Sequence, residues 1–343
     1  MQTLTITCPD DFHLHLRDGA MMRDVVLDSA RQFARAIIMP NLNSPIVTTA
    51  QALDYRERIK SALPAASRFD PMMTLFLTDN TTTDEINAAR ESAHIFAVKY
   101  YPAGATTNSE NGVTSIDRIY PLLELMDELR LPLLMHGEVA DADIDIFDRE
   151  QVFIERILDP LVQRFVNLPI VFEHITTRQA VEFIKQGPDN LAATITPHHL
   201  LLNRNALLAG GLRPHHYCLP ILKSELHREA IVAAATSGHP RFFLGTDSAP
   251  HAKRAKESAC GCAGIYSAHS AIELYAEIFD RVGSLDRLEN FASRFGADFY
   301  GLPHNNYSIT LEKTDWTVPA ELPCGEDTLV PFWSGQTCHW KLK

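Results

Sequence analysis

The sequence predicts an α/β protein that folds as a (β/α)8 barrel, or TIM barrel, with a small C-terminal extension. Eight short apolar or β-rich runs recur along the chain, and amphipathic, helix-like segments separate most of them. Strands that alternate with helices form parallel sheets, and eight such units favour a closed barrel. The runs cover residues 12–16, 34–39, 72–78, 95–100, 132–136, 169–174, 191–196 and 241–246.

The residues around the first run argue against the alternative, an open doubly wound sheet. Such sheets usually carry a glycine-rich phosphate loop directly after their first strand. Residues 13–18 of this chain read His-Leu-His-Leu-Arg-Asp instead. The closed barrel is therefore the preferred prediction.

The segments between the runs have the patterns of amphipathic helices. Examples cover residues 48–62, 114–130, 147–165 and 223–237. The sequences Thr-Thr-Asp-Glu at 82–85 and Thr-Thr-Arg-Gln at 176–179 are typical helix starts, because a threonine hydroxyl can accept a hydrogen bond from the first turn.

The alternation of strands and helices stops after about residue 300. Residues 307–316 and 329–342 are predicted to form short strands in an extension, residues 301–343, that packs on the barrel. No linker or low-complexity tract interrupts the sequence, so we expect residues 1–343 to form a single domain.

Composition narrows the possible functions. The chain has 343 residues, of which 45% are hydrophobic and 22% charged, as in a soluble globular protein. The net charge of −12 argues against a nucleic-acid partner, and no apolar run approaches the roughly 20 residues that span a bilayer. The N-terminal residues lack the pattern of a signal peptide, and the six cysteines are scattered, so we expect a cytoplasmic protein with reduced thiols.

The first run carries a pair of candidate metal ligands. His13 and His15 are separated by one residue, so they point to the same side of a strand while Leu14 and Leu16 point to the other. Imidazole is a common ligand of zinc and similar metals. By itself, such a pair is more often structural than metal-binding.

Further candidates lie at the ends of other runs: Lys99, His136, His174 and Asp247. In a barrel, the carboxyl ends of the strands meet at one face, where the chemistry takes place. Four histidines and a carboxylate are too many ligands for one open zinc site, but they suit two metals if a further group bridges them.

Lys99 is the unusual member of this set, because a protonated ammonium has no lone pair to offer a metal. A neutral lysine amine can react with carbon dioxide to give a carbamate, whose two oxygens can each hold one metal. The alternative is a Schiff-base lysine in a metal-free barrel. The four histidines favour the carbamylated bridge.

The chain resembles the dihydroorotases of the compact bacterial type, in the binuclear-metal amidohydrolase superfamily. The resemblance extends from Asp10 to about Phe332 and rests on six motifs. They are Phe-His-Leu-His-Leu-Arg-Asp-Gly at 12–19, Met-Pro-Asn at 39–41, Lys-Tyr-Tyr-Pro-Ala at 99–103, His-Gly-Glu at 136–138, Phe-Glu-His-Ile-Thr-Thr at 172–177 and Gly-Thr-Asp-Ser-Ala-Pro-His at 245–251.

The resemblance implies a metal centre with two zinc ions per subunit. His13, His15 and Asp247 would hold one ion, and His136 and His174 the other. Carbamylated Lys99 and a hydroxide would bridge them. The implied reaction is the reversible hydrolysis of (S)-dihydroorotate to N-carbamoyl-L-aspartate in de novo pyrimidine biosynthesis. In this reaction the bridging hydroxide attacks the ring amide, and Asp247 acts as general base and then general acid.

The substrate carboxylate requires a cation. Arg17 offers a planar guanidinium two residues after the histidine pair, although it could instead pair with Asp18 or Asp11. The resemblance assigns Arg17, Asn41 and His251 to the carboxylate, and backbone groups near Leu219 and Ala263 to the ring. It also implies a homodimer.

The segment 102–112 after Lys99 is small and polar. It is either a solvated loop or, as the resemblance implies, a lid whose Thr106 and Thr107 close over the ligand.

Other polar groups are expected to have no catalytic role. His198-His199 and His215-His216 should lie in loops after the seventh strand, at the surface or in local hydrogen bonds. Cys260-Gly261-Cys262 is expected to be a loop without thiol chemistry rather than a soft metal site.

Three alternative functions stay open at this stage. Another cyclic-amide hydrolase, such as a hydantoinase or allantoinase, would share the metal ligands without the carboxylate-binding residues. A deaminase-like barrel with one metal would leave Lys99 incidental. A Schiff-base lyase would use Lys99 and ignore chelators.

Overall fold

Eight parallel strands form the centre of the fold in this computed structural model, which describes residues 2–343. They pair in chain order and correspond one to one to the predicted runs, so the barrel prediction is confirmed. The strands are β2 (Asp10–Leu14), β3 (Arg35–Ile38), β4 (Asp70–Phe76), β5 (Ile95–Tyr100), β6 (Leu133–Met135), β7 (Ile170–Phe172), β8 (Leu191–Ile195) and β9 (Phe242–Leu244).

The barrel closes between its first and last strands just beyond the end of β9. Leu14 forms a parallel bridge to Ser248, and the backbone N–H of Asp247 donates to the carbonyl of His13 at 2.9 Å. The buried carboxylate of Asp11 accepts from the backbone N–H of Thr246 at 2.8 Å and from its hydroxyl. Closure therefore takes place at the carboxyl ends of the strands, beside the predicted ligands.

Helices cover the outside of the barrel and bury one face against it, as their amphipathic patterns predict. The predicted segment 48–62 is a helix in which Thr48 and Gln51 form a capping box. Thr82 and Thr177 also cap helices with their hydroxyls. The helices are α1 (Gly19–Ala30), α2 (Thr49–Ala62), α3 (Thr83–Glu91), α4 (Tyr120–Leu129), α5 (Arg149–Phe153), α6 (Asp159–Arg164), α7 (Arg178–Gln186), α8 (Pro197–Leu201), α9 (Asn205–Leu208), α10 (Glu225–Ala235), α11 (Lys253–Lys256), α12 (Ala271–Arg281) and α13 (Phe295–Phe299).

Two of the three apolar clusters in residues 2–343 hold these layers together. The larger lies between the strands and the helices, and the smaller fills the barrel interior below the site. The interior core contains Phe12, Met72 and Phe243, and the ring of Tyr300 stacks on Phe12 at 5.2 Å between centroids. The barrel is thus a packed core rather than a pore, and only its carboxyl-end face is left to hold a ligand.

The extension uses both ends of the chain. Strand β10 (Ser308–Thr317) pairs antiparallel with β1 (Thr3–Thr7) on one side and with β13 (Thr337–Leu342) on the other. Between β10 and β13 in the sequence, β11 (Leu322–Cys324) and β12 (Asp327–Leu329) form a hairpin. Buried Trp340 donates from Nε1 to Asp280 Oδ2 of α12 at 3.2 Å, so the extension packs on the barrel as expected.

Two details of the extension differ from the prediction. The predicted strand 329–342 is wrong in its first part, because residues 330–336 turn, with Trp333 at φ 69° and Gly335 also at positive φ. Strand β1 was not predicted, although Thr3–Thr7 alternates threonine with apolar residues. Within residues 2–343, no helix is long and apolar enough to cross a membrane.

Candidate metal centre and active site

Three of the predicted ligands meet at the point where the barrel closes. His15 Nε2 lies 3.2 Å from His13 Nε2 and 3.1 Å from Asp247 Oδ1, and His13 Nε2 lies 3.4 Å from the same oxygen. All three side chains are buried. Two imidazole nitrogens and one carboxylate oxygen converging in a dry site form a typical zinc ligand set.

Each of these residues is placed by the end of a strand. His13 lies within β2, whereas His15 follows the end of that strand, so the expected strand pair is only partly in the strand. Asp247 lies three residues beyond β9 and has a left-handed backbone at φ 44°. His174, beyond β7, has φ 42°. Strained backbone of this kind is typical of functional residues whose surroundings hold them in place.

The second predicted group, His136 and His174, lies beside the first. The His174 ring centroid is 5.0 Å from that of His13 and 4.9 Å from that of His136. Lys99, in β5, is completely buried, and its Nζ has no hydrogen-bond partner among residues 2–343. His174 Nδ1 is likewise without a partner in that part of the chain.

The outer nitrogens of three predicted ligands are held by oxygen atoms. His13 Nδ1 is 2.8 Å from Glu173 Oε2, His15 Nδ1 is 2.7 Å from Asn41 Oδ1, and His136 Nε2 is 2.8 Å from Glu138 Oε2. An oxygen partner on one nitrogen fixes the ring and leaves the other nitrogen free to bind a metal. Sequence reasoning missed Glu173 and Glu138, although each lies within two residues of a ligand histidine.

Burial sets the protonation of this cluster. It lowers the pKa of His13, and lowers the pKa of His15 and His174 well below the ordinary value, so these rings are neutral at pH 7. Burial also lowers the pKa of the Lys99 ammonium to about 8. Metal binding requires neutral imidazoles. Carbamate formation requires a neutral lysine amine, which the lowered pKa of Lys99 makes easier to form near pH 7.

The donor set fits a metal centre. His13, His15 and Asp247 each offer a ligand atom, and these atoms lie within 4.8 Å of one another. The unpartnered nitrogens of Lys99 and His174 are buried polar atoms, which are costly unless something binds them. A metal bound to His174 and conversion of the Lys99 amine to a carbamate would remove that cost.

Beside the ligands lies a group of residues suited to an anion. Arg17 Nη2 is 3.0 Å from His251 Nε2, and Arg17 Nε donates to the carbonyl of Pro250 at 3.2 Å. The third nitrogen, Nη1, is buried and has no partner within the described chain. Asp18 pairs with Arg58, and Asp11 with Thr246, so neither possible partner occupies Arg17.

Asn41 and the predicted lid meet above the ligands. Asn41 Nδ2 donates to the carbonyl of Thr107 at 3.0 Å, and Thr107 Oγ1 donates to the carbonyl of Ala263 at 3.1 Å. Segment 102–112 is folded on itself, with Ser109 bonded to Thr106, rather than being an open solvated loop.

The structure brings the predicted site residues together around one small cavity of about 20 Å³, room for about one water molecule. Lys99 is completely buried within the barrel. His251 lies just outside the cavity and contacts Arg17. The residues that line the cavity include His13, His15, Arg17, Asn41, Tyr101, Thr106, Thr107, His136, His174, Leu219, Asp247 and Ala263.

The expectation for His198 and His199 is wrong in part. Both belong to helix α8 and are buried, not at the surface. His199 makes the expected local bonds, to Thr196 Oγ1 at 2.8 Å and to the carbonyl of Pro220 at 2.9 Å. His198 has no partner for either ring nitrogen among residues 2–343. With Cys218, this pair forms a second buried group of metal-binding residue types, separate from the predicted ligands.

The second histidine pair makes the expected local hydrogen bonds, and the two cysteines are not disulfide-bonded. His215 Nε2 is 2.9 Å from Glu257 Oε1, and His216 Nδ1 is 2.8 Å from the carbonyl of Ala206, so both make local hydrogen bonds. Cys260 is exposed, Cys262 is half-buried, and both are free thiols.

Comparison with known proteins identifies the family of the chain. The amidohydrolase family matches residues 6–314. A dihydroorotase from Nitrosococcus oceani is 63% identical over 340 residues, which cover 99% of each chain. The crystal structure of a dihydroorotase from Campylobacter jejuni is 37% identical, with a TM-score of 0.91 over 99% of this chain and 97% of that one.

A dihydroorotase from Saccharomyces cerevisiae, solved in complex with 5-fluoroorotic acid, is 33% identical and has a TM-score of 0.92, covering 100% of this chain and 99% of that one. Similarity of this extent covers the barrel and the extension together. The chain therefore belongs to the amidohydrolase family and, within it, to the dihydroorotases.

Proposed function

We propose that the chain catalyses the reversible hydrolysis of (S)-dihydroorotate to N-carbamoyl-L-aspartate, the step that its family contributes to pyrimidine biosynthesis. The observation that carries this proposal is that the cluster of His13, His15 and Asp247 opens on the same cavity as the guanidinium of Arg17. Hydrolysis of a cyclic amide needs the first group, and recognition of a free carboxylate needs the second.

The metal centre is proposed to hold two zinc ions. His13, His15 and Asp247 would hold one and His136 and His174 the other, with carbamylated Lys99 between them. When bound, the metals supply hydroxide near neutral pH and polarise the amide carbonyl. Glu173, Asn41 and Glu138 keep the ligand rings oriented through the hydrogen bonds described above.

Asp247 is the proposed proton carrier. Its Oδ1 lies against both histidines, which leaves the second carboxylate oxygen to take a proton from the attacking water and deliver it to the departing ring nitrogen. Burial raises the pKa of this carboxyl, which favours a group that accepts a proton and passes it on.

The substrate is proposed to bind through its carboxylate to Arg17, Asn41 and His251, and through its ring to the backbone of Leu219 and Ala263. Arg17 Nη1 is unpaired within the described chain and available. The binding of 5-fluoroorotic acid by the yeast relative supports a site for a ring with one carboxylate.

The segment 102–112 is the proposed lid. The present cavity is too small for a substituted six-membered ring, so Thr106 and Thr107 must move before substrate enters. In the present arrangement Thr107 bonds to Asn41 and Ala263, two residues of the proposed substrate site, so the lid would close over substrate in a different position. Closure over the substrate would exclude water from the reacting groups.

Three further expectations stay predictions: a single domain over residues 1–343, a homodimer, and a cytoplasmic location. None of them is needed for the chemistry at the site.

The proposed function is tested by following dihydroorotate hydrolysis by ultraviolet absorbance while metal is counted on the same sample. We expect activity with about two zinc ions per chain. No activity at full metal loading would reject the substrate, and activity on hydantoins or allantoin instead would support the alternative cyclic-amide hydrolase. Activity that survives removal of all metal would reject the metal centre.

A further inference from the structure

Lys256, at the end of helix α11, is a buried cation outside the predicted site. Only 3% of the residue is exposed, and no carboxylate among residues 2–343 pairs with it. Its Nζ donates to three backbone carbonyls: Tyr217 at 2.8 Å, Cys262 at 2.7 Å and Gly264 at 2.8 Å. An ammonium has three N–H donors, so this cradle satisfies the group completely.

The three carbonyls belong to the two segments that carry the proposed ring-binding backbone. Cys262 and Gly264 flank Ala263 on both sides, and Tyr217 lies two residues before Leu219. The backbone N–H of Gly264 also donates to the Tyr217 carbonyl at 3.0 Å. Lys256 therefore joins the two segments at the positions next to the groups that face the cavity.

Ala263 has two further contacts that depend on this arrangement. Its carbonyl lies 3.0 Å from His251 Nε2 and accepts from Thr107 Oγ1 of the lid at 3.1 Å. A shift of the Ala263 peptide would alter the ring site, the carboxylate site and the position of the lid together.

We propose that Lys256 is a positioning residue for substrate binding, whose ammonium holds the Leu219 and Ala263 segments at the spacing that the substrate ring requires. The inference rests on the proposed function, because it concerns the ring site of that reaction. Lys256 does not line the site cavity; it acts through the backbone carbonyls that it binds. The sequence of α11 does not distinguish Lys256 from Lys253 and Arg254, the other two basic residues of this helix.

The test compares Lys256→Met, which keeps most of the apolar side chain but removes the donors, with Lys253→Met in the same helix. Lys253 is partly exposed and pairs with Glu321 rather than with the carbonyls that hold Lys256. For Lys256→Met we expect the KM for dihydroorotate and the Kd for 5-fluoroorotic acid to rise about ten- to hundredfold, because small misplacements of binding groups have effects of this size. We expect kcat to change less than KM, zinc content to stay unchanged, and Lys253→Met to behave as the original protein.

Two further variants distinguish a positioning role of Lys256 from a general structural role. Lys256→Gln keeps two N–H donors, so its KM and Kd should lie between those of the original protein and those of Lys256→Met. If the methionine variant does not fold, the glutamine variant takes its place in the test. For Lys256→Ala, n-propylammonium should lower the KM, whereas n-propanol at the same concentration should not.

Each outcome decides between the two proposals. A metal-loaded original protein that does not hydrolyse dihydroorotate overturns the proposed function and this inference with it. An active original protein whose folded Lys256→Met or Lys256→Gln variant has unchanged KM and Kd overturns the inference alone. A fall in zinc content and kcat at constant KM would also overturn it, since Lys256 would then act on the metal centre.

Discussion

The side chain of Asn41 connects His15 to the lid: its Oδ1 lies 2.7 Å from His15 Nδ1, and its Nδ2 donates to the carbonyl of Thr107. One amide group therefore orients a proposed metal ligand and fastens the proposed lid. The two ends of the amide have different chemistry, so substitution can separate the two functions.

Asn41→Asp should keep metal but weaken substrate binding, whereas Asn41→Ala should weaken both. Aspartate retains an oxygen acceptor for His15 but loses the donor to Thr107 and repels a carboxylate. Alanine loses the ring's partner, which typically lowers metal affinity by about 10- to 100-fold. Zinc retention during dialysis against a chelator and the KM for dihydroorotate measure the two effects. The exposed neighbour Asn43→Ala is the control; equal zinc loss in the alanine and aspartate variants would contradict the assignment.

Arg17→Ala should lower kcat/KM for dihydroorotate about 100-fold at unchanged zinc content. A hydrogen bond to a charged group contributes about 1.5–3 kcal/mol, and the upper value corresponds to about 100-fold. Steady-state kinetics and metal analysis of the same preparation check this. Arg58→Ala is the matched control, because Arg58 pairs with Asp18 at the rim of the barrel. Loss of zinc together with activity would assign Arg17 to the metal centre instead.

Gly264→Ala should raise KM because an added Cβ would crowd His251 and Ala249. An added Cβ would lie 2.8 Å from the His251 ring, and Gly264 has φ 147°, where other residues are strained. Gly211→Ala is the control, since Gly211 has φ 119° but nothing within 4 Å of the added atom. Both variants should lose about 1–3 kcal/mol of stability from backbone strain. Thermal unfolding and kinetics together decide: a KM increase in only Gly264→Ala supports the placement of His251, and equal increases would not.

Metal-free protein should regain activity faster with zinc and bicarbonate than with zinc in carbon dioxide-free buffer. The reason is that the proposed carbamate on Lys99 must form before both metals are held. Lys99→Arg should not recover under either condition, whereas Lys60→Arg, an exposed position on α2, should recover like the original protein. Recovery of the original protein at a rate independent of bicarbonate would show that Lys99 is not carbamylated.

The strand order and the position of the ligands could be predicted from sequence because the signals are local. A short apolar run followed by a histidine or aspartate places that side chain at a strand end, and the barrel then brings the ends together. His174 and Asp247, which lie two and three residues beyond the ends of β7 and β9, were predicted in this way. Their left-handed backbones were not, because neither residue type requires positive φ.

The features that the sequence did not predict depend on contacts between distant segments. His198 and His199 have the appearance of loop residues, but α8 packs beneath Phe332, whose ring centroid is 6.0 Å from that of His198. Lys256 has the appearance of a solvated charge, and only the meeting of residues 217–219 with 262–264 gives it three carbonyl partners. The burial of His198, His199 and Lys256 leaves no periodic pattern in the sequence. It results from segments that are distant in the chain and meet at the barrel face.

The pairing of β1 with β10 has a consequence for the order of protein synthesis. Thr5 and Thr310, whose hydroxyls lie 2.9 Å apart, are separated by 305 positions in the chain. During synthesis β1 therefore stays unpaired, with an open edge, until β10 has been translated. The threonines that alternate along β1 give the unpaired strand one polar face.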